Sequence, residues 1–327
     1  MREGYLETVN CNLCRSGDYR KVYEMPDRKF FRGDYFTIVE CEACGLGFVN
    51  PRPTLREIQK YYPAKYYQNP PTKSHERYLD RRFSAEASFL KALENGARRK
   101  RLLDVGCGNG EFPRFMIARG RWEVEGVEVA EASQPITDFR VYTQEFDRIP
   151  VHEPFYDAVT AWAVMEHVHD PMAYFRKAAE VVKKDGLFVF LVQNFESVAS
   201  RYLFCEDVPR HLYFFTRETI KQYLEKTGFV LEKEVNGRKI YKLAPYNWLG
   251  FMVRTRLLGK KYEFRDAPMS SKEFRGVRNL RPGLVTALKY AAYSPTMVLD
   301  RMLWPLIETA QILRKTYGIS TFVGRKL

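Results

Sequence analysis

The chain has 327 residues, 45% of them hydrophobic, and a formal net charge of +13 at pH 7. That length exceeds one average domain, so a core with appendages is expected, and the apolar fraction is enough for a large core. The start, Met1-Arg2-Glu3-Gly4, lacks a signal peptide's apolar region. No apolar run approaches the ~20 residues of a membrane span, so neither a secretory leader nor a spanning segment is expected and a cytoplasmic protein is.

The chain opens with Cys11-Asn12-Leu13-Cys14 and Cys41-Glu42-Ala43-Cys44, two C-x-x-C pairs separated by 26 residues. Each pair can grip one metal ion from a tight turn, and four thiolates close a tetrahedral zinc site. Gly45 and Gly47 suit the knuckle that turns backbone amides toward the sulfurs, and Tyr35–Val39 reads as a strand leading into it. Disulfides, disfavoured in a reducing compartment, or buried free thiols are the alternatives. A closed four-sulfur site has no open position, so the zinc would be structural. Cys107 and Cys205 read as packing residues. Asn50-Pro51-Arg52-Pro53 closes this ribbon, residues 1–53.

Residues 54–100 form a helical connector. Thr54 can cap a short helix reaching Tyr62. The aromatic cluster Tyr61, Tyr62, Tyr66 and Tyr67 either packs ribbon on core or walls a ligand, and a polar loop from Gln68 follows. Residues 75–95 have helical spacing of Tyr78, Phe83, Ala87, Leu90 and Leu93, ending at Gly96. Arg77, Arg81 and Arg82 make its solvated face, with one able to reach a ligand carboxylate.

The core is organised around Arg101-Leu102-Leu103-Asp104-Val105-Gly106-Cys107-Gly108-Asn109-Gly110-Glu111-Phe112, a buried parallel strand, a glycine turn and a helix start. Glycines supply φ > 0 and let a ligand approach bare backbone. The dinucleotide fingerprint needs a sixth-position glycine to seat a pyrophosphate. Glu111 stands there, which argues against nicotinamide and flavin dinucleotides. Trp122–Val129 is a second strand, and Glu128 at its carboxyl end can accept hydrogen bonds from both ribose hydroxyls.

At these residues the sequence resembles the class I S-adenosylmethionine-dependent methyltransferases: LLDVGCGNG is similar to their first motif and GVEV to their second. Ala163 to Pro171 resembles the "EH..DP" segment after strand four of many small-molecule methyltransferases. Cys44 to Pro53 resembles the "CGL.F.NPRP" closure of a cysteine-rich ribbon in methyltransferases of bacterial glycan and natural-product clusters. The resemblance implies an α/β, doubly wound, mostly parallel seven-stranded sheet with an antiparallel last strand. It also implies S-adenosylmethionine as cofactor, bound by Asp104, Gly106, Cys107, Gly108, Gly110, Glu128, Val129, Ala161 and Trp162, and a sugar or glycan-type acceptor.

The remaining strands follow in order: a weak third at 139–143, a clear fourth at Tyr156–Ala161, a fifth at Gly186–Val192 and a sixth at Phe229–Val235. Asp170 caps a helix with Pro171 at its first position, with Lys183 and Lys184 near its end, and Thr216 opens another helix closed by Gly228. The connection from Glu131 to Asp138, broken by Pro135, is shorter than the helix the family usually places there. Gly318–Lys326 reads as the last strand. The core is thus residues 101–241 plus 318–327, and a helical insert, 242–317, interrupts it. Residues 242–327 hold 16 Lys/Arg against 5 Asp/Glu, while the other 241 residues carry only +2. The apolar-and-basic stretches Asn247–Lys261 and Thr296–Lys315 suit an anionic inner-membrane surface, although helices that bury their apolar faces on the core or in a homodimer are the commoner outcome of such a pattern, and a lid is a further alternative.

Methyl transfer to a hydroxyl needs alignment and a base, and histidine matches neutral pH. His167 and His211 both belong to the strands' carboxyl-terminal edge, where open α/β sheets bind ligands, with Glu166 beside them. Alternatively, Glu166 and His167 merely fix the loop. Relatives that methylate quinone-ring hydroxyls have a carboxylate, linked to a metal, three residues before "EH". Ala163 stands there, so no catalytic metal is expected. The rivals are an RNA methyltransferase, opposed by Trp162-Ala163-Val164-Met165 in place of a base-methylating tetrad, and a non-catalytic scaffold, opposed by the intact glycine turn and Glu128.

Overall fold

The computed structural model describes residues 5–27, 34–62, 73–96, 98–130, 136–197, 200, 207–240 and 284–327. The expectations for Tyr66, Tyr67, the loop from Gln68, Cys205 and the stretch Asn247–Lys261 lie outside the described residues. The chain divides into two compact units, the first comprising Met1–Phe195, Asp207–Val235 and Ile319–Leu327, the second Glu196–Glu206 and Asn236–Gly318.

The first unit is built on a seven-stranded sheet. Its strands are β6 (Lys100–Val105), β7 (Trp122–Val127), β8 (Val141–Tyr142), β9 (Tyr156–Trp162), β10 (Val182–Gln193), β12 (Phe229–Asn236) and β13 (Ile319–Lys326). They lie in the order β12-β13-β10-β9-β6-β7-β8. Strands β6 to β10 run parallel, and β13 pairs antiparallel with β10 from Leu187↔Arg325 to Gln193↔Ile319. Strands buried on both faces read as unbroken apolar runs. Ala158, Val159 and Ala161 of β9 and Leu187 to Val192 of β10 are accordingly buried.

Helix α1 (Lys73–Ala87) precedes the sheet, α2 (Glu111–Ala118) follows the glycine turn, α3 (Pro171–Val181) follows β9, and α4 (Arg217–Lys226) follows Phe214. Asp170 caps α3 by accepting from Ala173 N, and Thr216 and Thr219 form a reciprocal capping box on α4. Two boundaries in particular depart from the sequence pattern: α1 stops at Ala87 and a separate 3-10 turn follows at Lys91–Leu93, where one helix to Gly96 is expected. The segment Lys183–Gly186 belongs to β10 rather than to the end of α3, because its turn, with Asp185 at φ +62°, is absorbed as an irregularity between Val182 and Leu187.

The N-terminal strands β2 (Tyr19–Pro26), β3 (Tyr35–Cys41) and β4 (Gly47–Val49) form a second antiparallel sheet with β11 (Tyr213–Phe214), in the order β11-β4-β3-β2. β1 (Leu6–Glu7) pairs with β5 (Arg52–Pro53). A buried ion pair ties the far end of this sheet to the segment before β11. The Arg210 guanidinium, fully buried, meets both oxygens of the equally buried Asp27 at 2.8 and 3.1 Å, and also bonds Asp207 and the Tyr61 carbonyl.

In the second unit, α5 (Leu284–Leu313) is the main described element. Asn236 brackets Tyr317 with two main-chain hydrogen bonds, and Arg238 bonds the buried Glu308.

Removing one partner of a buried pair leaves an uncompensated charge. Asp27→Ala is expected to lower unfolding stability by about 3–5 kcal/mol, read from denaturant midpoints. A loss within the ~1 kcal/mol of a surface pair would show that Asp207 alone satisfies Arg210.

Candidate active site and metal centre

The glycine turn leaves β6 with Gly106, Gly108 and Gly110 all at positive φ, +73°, +57° and +81°. Two of them are also hemmed in: a Cβ on Gly106 would come 2.5 Å from the Val164 side chain, and one on Gly110 would come 2.8 Å from Phe139. Glu128, immediately after β7, turns its carboxylate over this turn. Its Oε2 accepts from Gly108 N at 2.8 Å and its Oε1 from Ala130 N at 2.9 Å. The carboxylate thus locks the turn, and each oxygen retains a further lone pair for a ribose hydroxyl. Val129 is exposed, and Cys107 is buried with its thiol pushed up by that burial.

Below the turn lies a pair of buried acids. Asp104 accepts from the Thr160 hydroxyl at 2.6 Å, and burial raises its carboxyl to about 8 despite that bond. Glu86 of α1, salt-bridged to Arg82, is raised by burial to about 7 and pushes Asp104 up further. Glu86 carried no motif and could not be found from sequence spacing. Ala161 is buried in β9. The adjacent Trp162, packed edge-on against Phe112, has a buried indole N–H with no hydrogen-bond partner. Two buried acids that titrate near neutral pH, beside a spare N–H donor, suit a ligand that brings positive charge and acceptor atoms.

The loop after β9 starts with Ala163 at φ +59°, an uncommon backbone state for a residue with a side chain. It carries Glu166 and His167 to a meeting with His211. The two imidazoles stack edge to face with centroids 4.6 Å apart, and one donor atom each of Glu166, His167 and His211 lie within 4.8 Å of one another. Among the described residues no fourth His, Cys, Asp or Glu joins this group. His167 Nδ1 lies 3.0 Å from the Arg210 carbonyl and 2.9 Å from the Tyr62 hydroxyl. A carbonyl only accepts, so Nδ1 carries the proton and Nε2 is the basic nitrogen. His211 Nδ1 lies 2.8 Å from Gln193 Oε1, which assigns the same tautomer. Tyr62 and Gln193 are thus orienting partners; Tyr62 belonged to the aromatic cluster legible in the sequence, whereas nothing local marked Gln193.

The four N-terminal cysteines also converge. Sγ atoms of Cys11 and Cys44 are 3.4 Å apart, those of Cys14 and Cys41 3.5 Å, and all four lie within 4.8 Å. Tetrahedral coordination at ~2.3 Å per Zn–S bond needs sulfurs about 3.8 Å apart, so the cluster fits zinc. Backbone N–H groups of Leu13 and Cys14 face the Cys11 sulfur as in a metal knuckle. The Cys11 thiol is pulled down to about 5, first by the hydrogen bond from Cys44, whose own thiol is driven up by the same contact. Crowded thiols of this kind favour thiolates once a dication is present.

The first knuckle is joined to the active-site loop. Asn12 Nδ2 donates to Asp170 Oδ1 at 2.8 Å, while its Oδ1 accepts from Met172 N and the Tyr223 hydroxyl, each at 2.9 Å. Arg52 Nη1 donates to the His169 carbonyl and to the Tyr213 hydroxyl, both at 2.8 Å.

Residues 75–234 match a family profile described as a methyltransferase domain. The chain is 36% identical over 108 residues to the ubiquinone biosynthesis O-methyltransferase of Neisseria meningitidis serogroup C, an alignment covering 30% of this chain and 45% of that protein. It is 29% identical over 233 residues to the protein of the same name in Acinetobacter baumannii, covering 62% of this chain and 95% of that one. The chain therefore spans less than half the length of the Neisseria relatives it matches. Among solved structures, geranyl diphosphate C-methyltransferase of Streptomyces coelicolor is similar at 14% identity and a TM-score of 0.46, covering 80% of this chain and 87% of that one. Residues 75–234 therefore carry a methyltransferase domain, built on a seven-stranded sheet of that fold.

Two measurements follow. A cationic donor beside Asp104 and Glu86 favours their ionised forms, so binding should release protons and tighten as pH rises from about 6 to about 9, spanning the two raised values. Calorimetry on wild type and Asp104→Asn tests this: a pH dependence equal in both would remove these acids from the donor site. Elemental analysis should find one zinc per chain, lowered by serine at Cys11, Cys14, Cys41 or Cys44, with donor affinity unchanged. Protein purified without chelator and free of metal would contradict the zinc assignment.

Proposed function

We propose that this protein transfers a methyl group from S-adenosylmethionine to a hydroxyl oxygen, with His167 or His211 as general base. The observation that carries the reading is the convergence of two imidazoles of assigned tautomer, with the Glu166 carboxylate, on the loop whose Val164 packs against Gly106 of the donor turn. The loop bearing Glu166 and His167 touches the donor turn through Val164, which supports proton removal close to methyl transfer.

The donor supplies a methyl on a sulfonium, already electrophilic. The chain's residues do the rest. Glu128, held by Gly108 and Ala130, offers its remaining lone pairs to ribose hydroxyls, and the Trp162 N–H offers a donor. Arg210 and Gln193 keep Nδ1 protonated on the two histidines, so each presents Nε2 as the proton acceptor. The Glu166 carboxylate beside them stabilises the imidazolium that forms. Holding the acceptor oxygen in line and taking its proton is all the protein must add.

Oxygen as the accepting atom is supported by the names of the curated relatives. A sugar or glycan acceptor is supported by the resemblance of the Cys44–Pro53 ribbon closure alone, which makes acceptor class the first thing to test.

The experiment is transfer of labelled methyl from S-adenosylmethionine into a panel of free and nucleotide-linked sugars, with quinone-ring phenols alongside. His167→Ala or His211→Ala should lower turnover by roughly 10²–10⁴ while donor affinity is retained. If both variants keep full turnover, neither histidine is the base. If no donor binds at all, the methyltransferase reading fails before the base is in question.

A further inference from the structure

Helix α5 is amphipathic in the inverted sense over its second half. Trp304, Glu308 and Gln311, spaced at i, i+4 and i+7, are buried. Facing the opposite way are Val298, Leu299, Met302, Leu306 and Leu313, with Met302 and Leu306 each 71% exposed and Leu313 79%. At 100° per residue, Val298, Leu299, Met302, Leu306, Thr309, Ala310 and Leu313 fall on one stripe, about 22 Å long, that carries no charge. A lone exposed leucine needs no explanation, but a four-turn apolar stripe with the helix's own carboxylate and amide turned inward does.

Exposed Arg301, Arg314 and Lys315 accompany the stripe. They belong to a segment, residues 242–327, with 16 Lys/Arg against 5 Asp/Glu. That charge decides between occupants. A second copy of the chain would bring an equally basic segment to the same face, and like charge disfavours such self-association. Anionic lipid headgroups supply the opposite sign, and the acyl boundary beneath them takes up bulky apolar side chains. No helix among the described residues is long and apolar enough to cross a membrane, so the contact is one of lying on the surface.

We infer that α5 docks the protein on an anionic lipid bilayer, its Val298–Leu313 stripe inserted into the interface and its basic residues at headgroup level. Trp304, a residue type suited to membrane interfaces, faces inward, and methionine and leucine make the contact.

The test is flotation of the full chain with vesicles of phosphatidylcholine containing phosphatidylglycerol, and with phosphatidylcholine alone. The triple variant Met302→Gln, Leu306→Gln, Leu313→Gln keeps helix propensity while removing the apolar stripe. The expected result is flotation with the anionic vesicles only, weakened by salt, and reduced about tenfold or more in the triple variant. Donor binding and melting temperature of that variant should match wild type. Failure of the wild type to float with anionic vesicles at low ionic strength would overturn the inference, as would undiminished flotation of the triple variant. A dimer by light scattering that the triple variant converts to monomer, with no vesicle binding, would assign the stripe to a second copy.

Discussion

Three segments far apart in the sequence meet on one line of main-chain hydrogen bonds. Val49 N–H donates to the Leu212 carbonyl at 2.9 Å, and Leu212 N–H donates to the Glu166 carbonyl at 2.7 Å. The ribbon, the loop bearing His211 and the loop bearing His167 are thereby fixed to one another through backbone, where side-chain rotation cannot loosen them. The Arg210–Asp27 pair closes the same assembly from behind. Its position is a consequence of chemistry: a fully buried guanidinium needs nearly every donor satisfied, and two carboxylates and a carbonyl provide that.

This arrangement gives the cysteine cluster a relation to the candidate site that a separate stabilising module would not have. Asn12 sits inside the first C-x-x-C pair and holds the N-terminus of α3, three residues beyond His167. Arg52, just past the second pair, holds the carbonyl of His169. Order in the knuckles and order in the loop are therefore parts of one hydrogen-bonded network, and its buried members are costly to leave unpaired.

The donor half of the site is organised by different physics. Positive φ at three glycines lets the turn fold tightly, and Glu128 locks it by accepting two backbone N–H groups. Burial lifts Asp104 and Glu86 to about 8 and about 7, so both carboxyls change charge close to neutral pH. Charge there depends on what enters.

Much of this was legible from residue order, because it rests on local rules. The period of apolar residues marked β6, β9 and β10, three glycines after Asp104 marked the turn, and two C-x-x-C pairs marked the cysteine cluster. Each of those signals lives within a dozen residues, the range over which backbone sterics and side-chain alternation act. The partners of the histidines do not: Tyr62, Gln193 and Arg210 reach His167 or His211 across long separations or from the end of a strand, and no spacing announces them. The outward stripe of α5 divides the same way. Its apolar residues stand in the sequence, but a helical period is symmetric between facing in and facing out. Only the burial of Trp304, Glu308 and Gln311 decided that the leucines face outward.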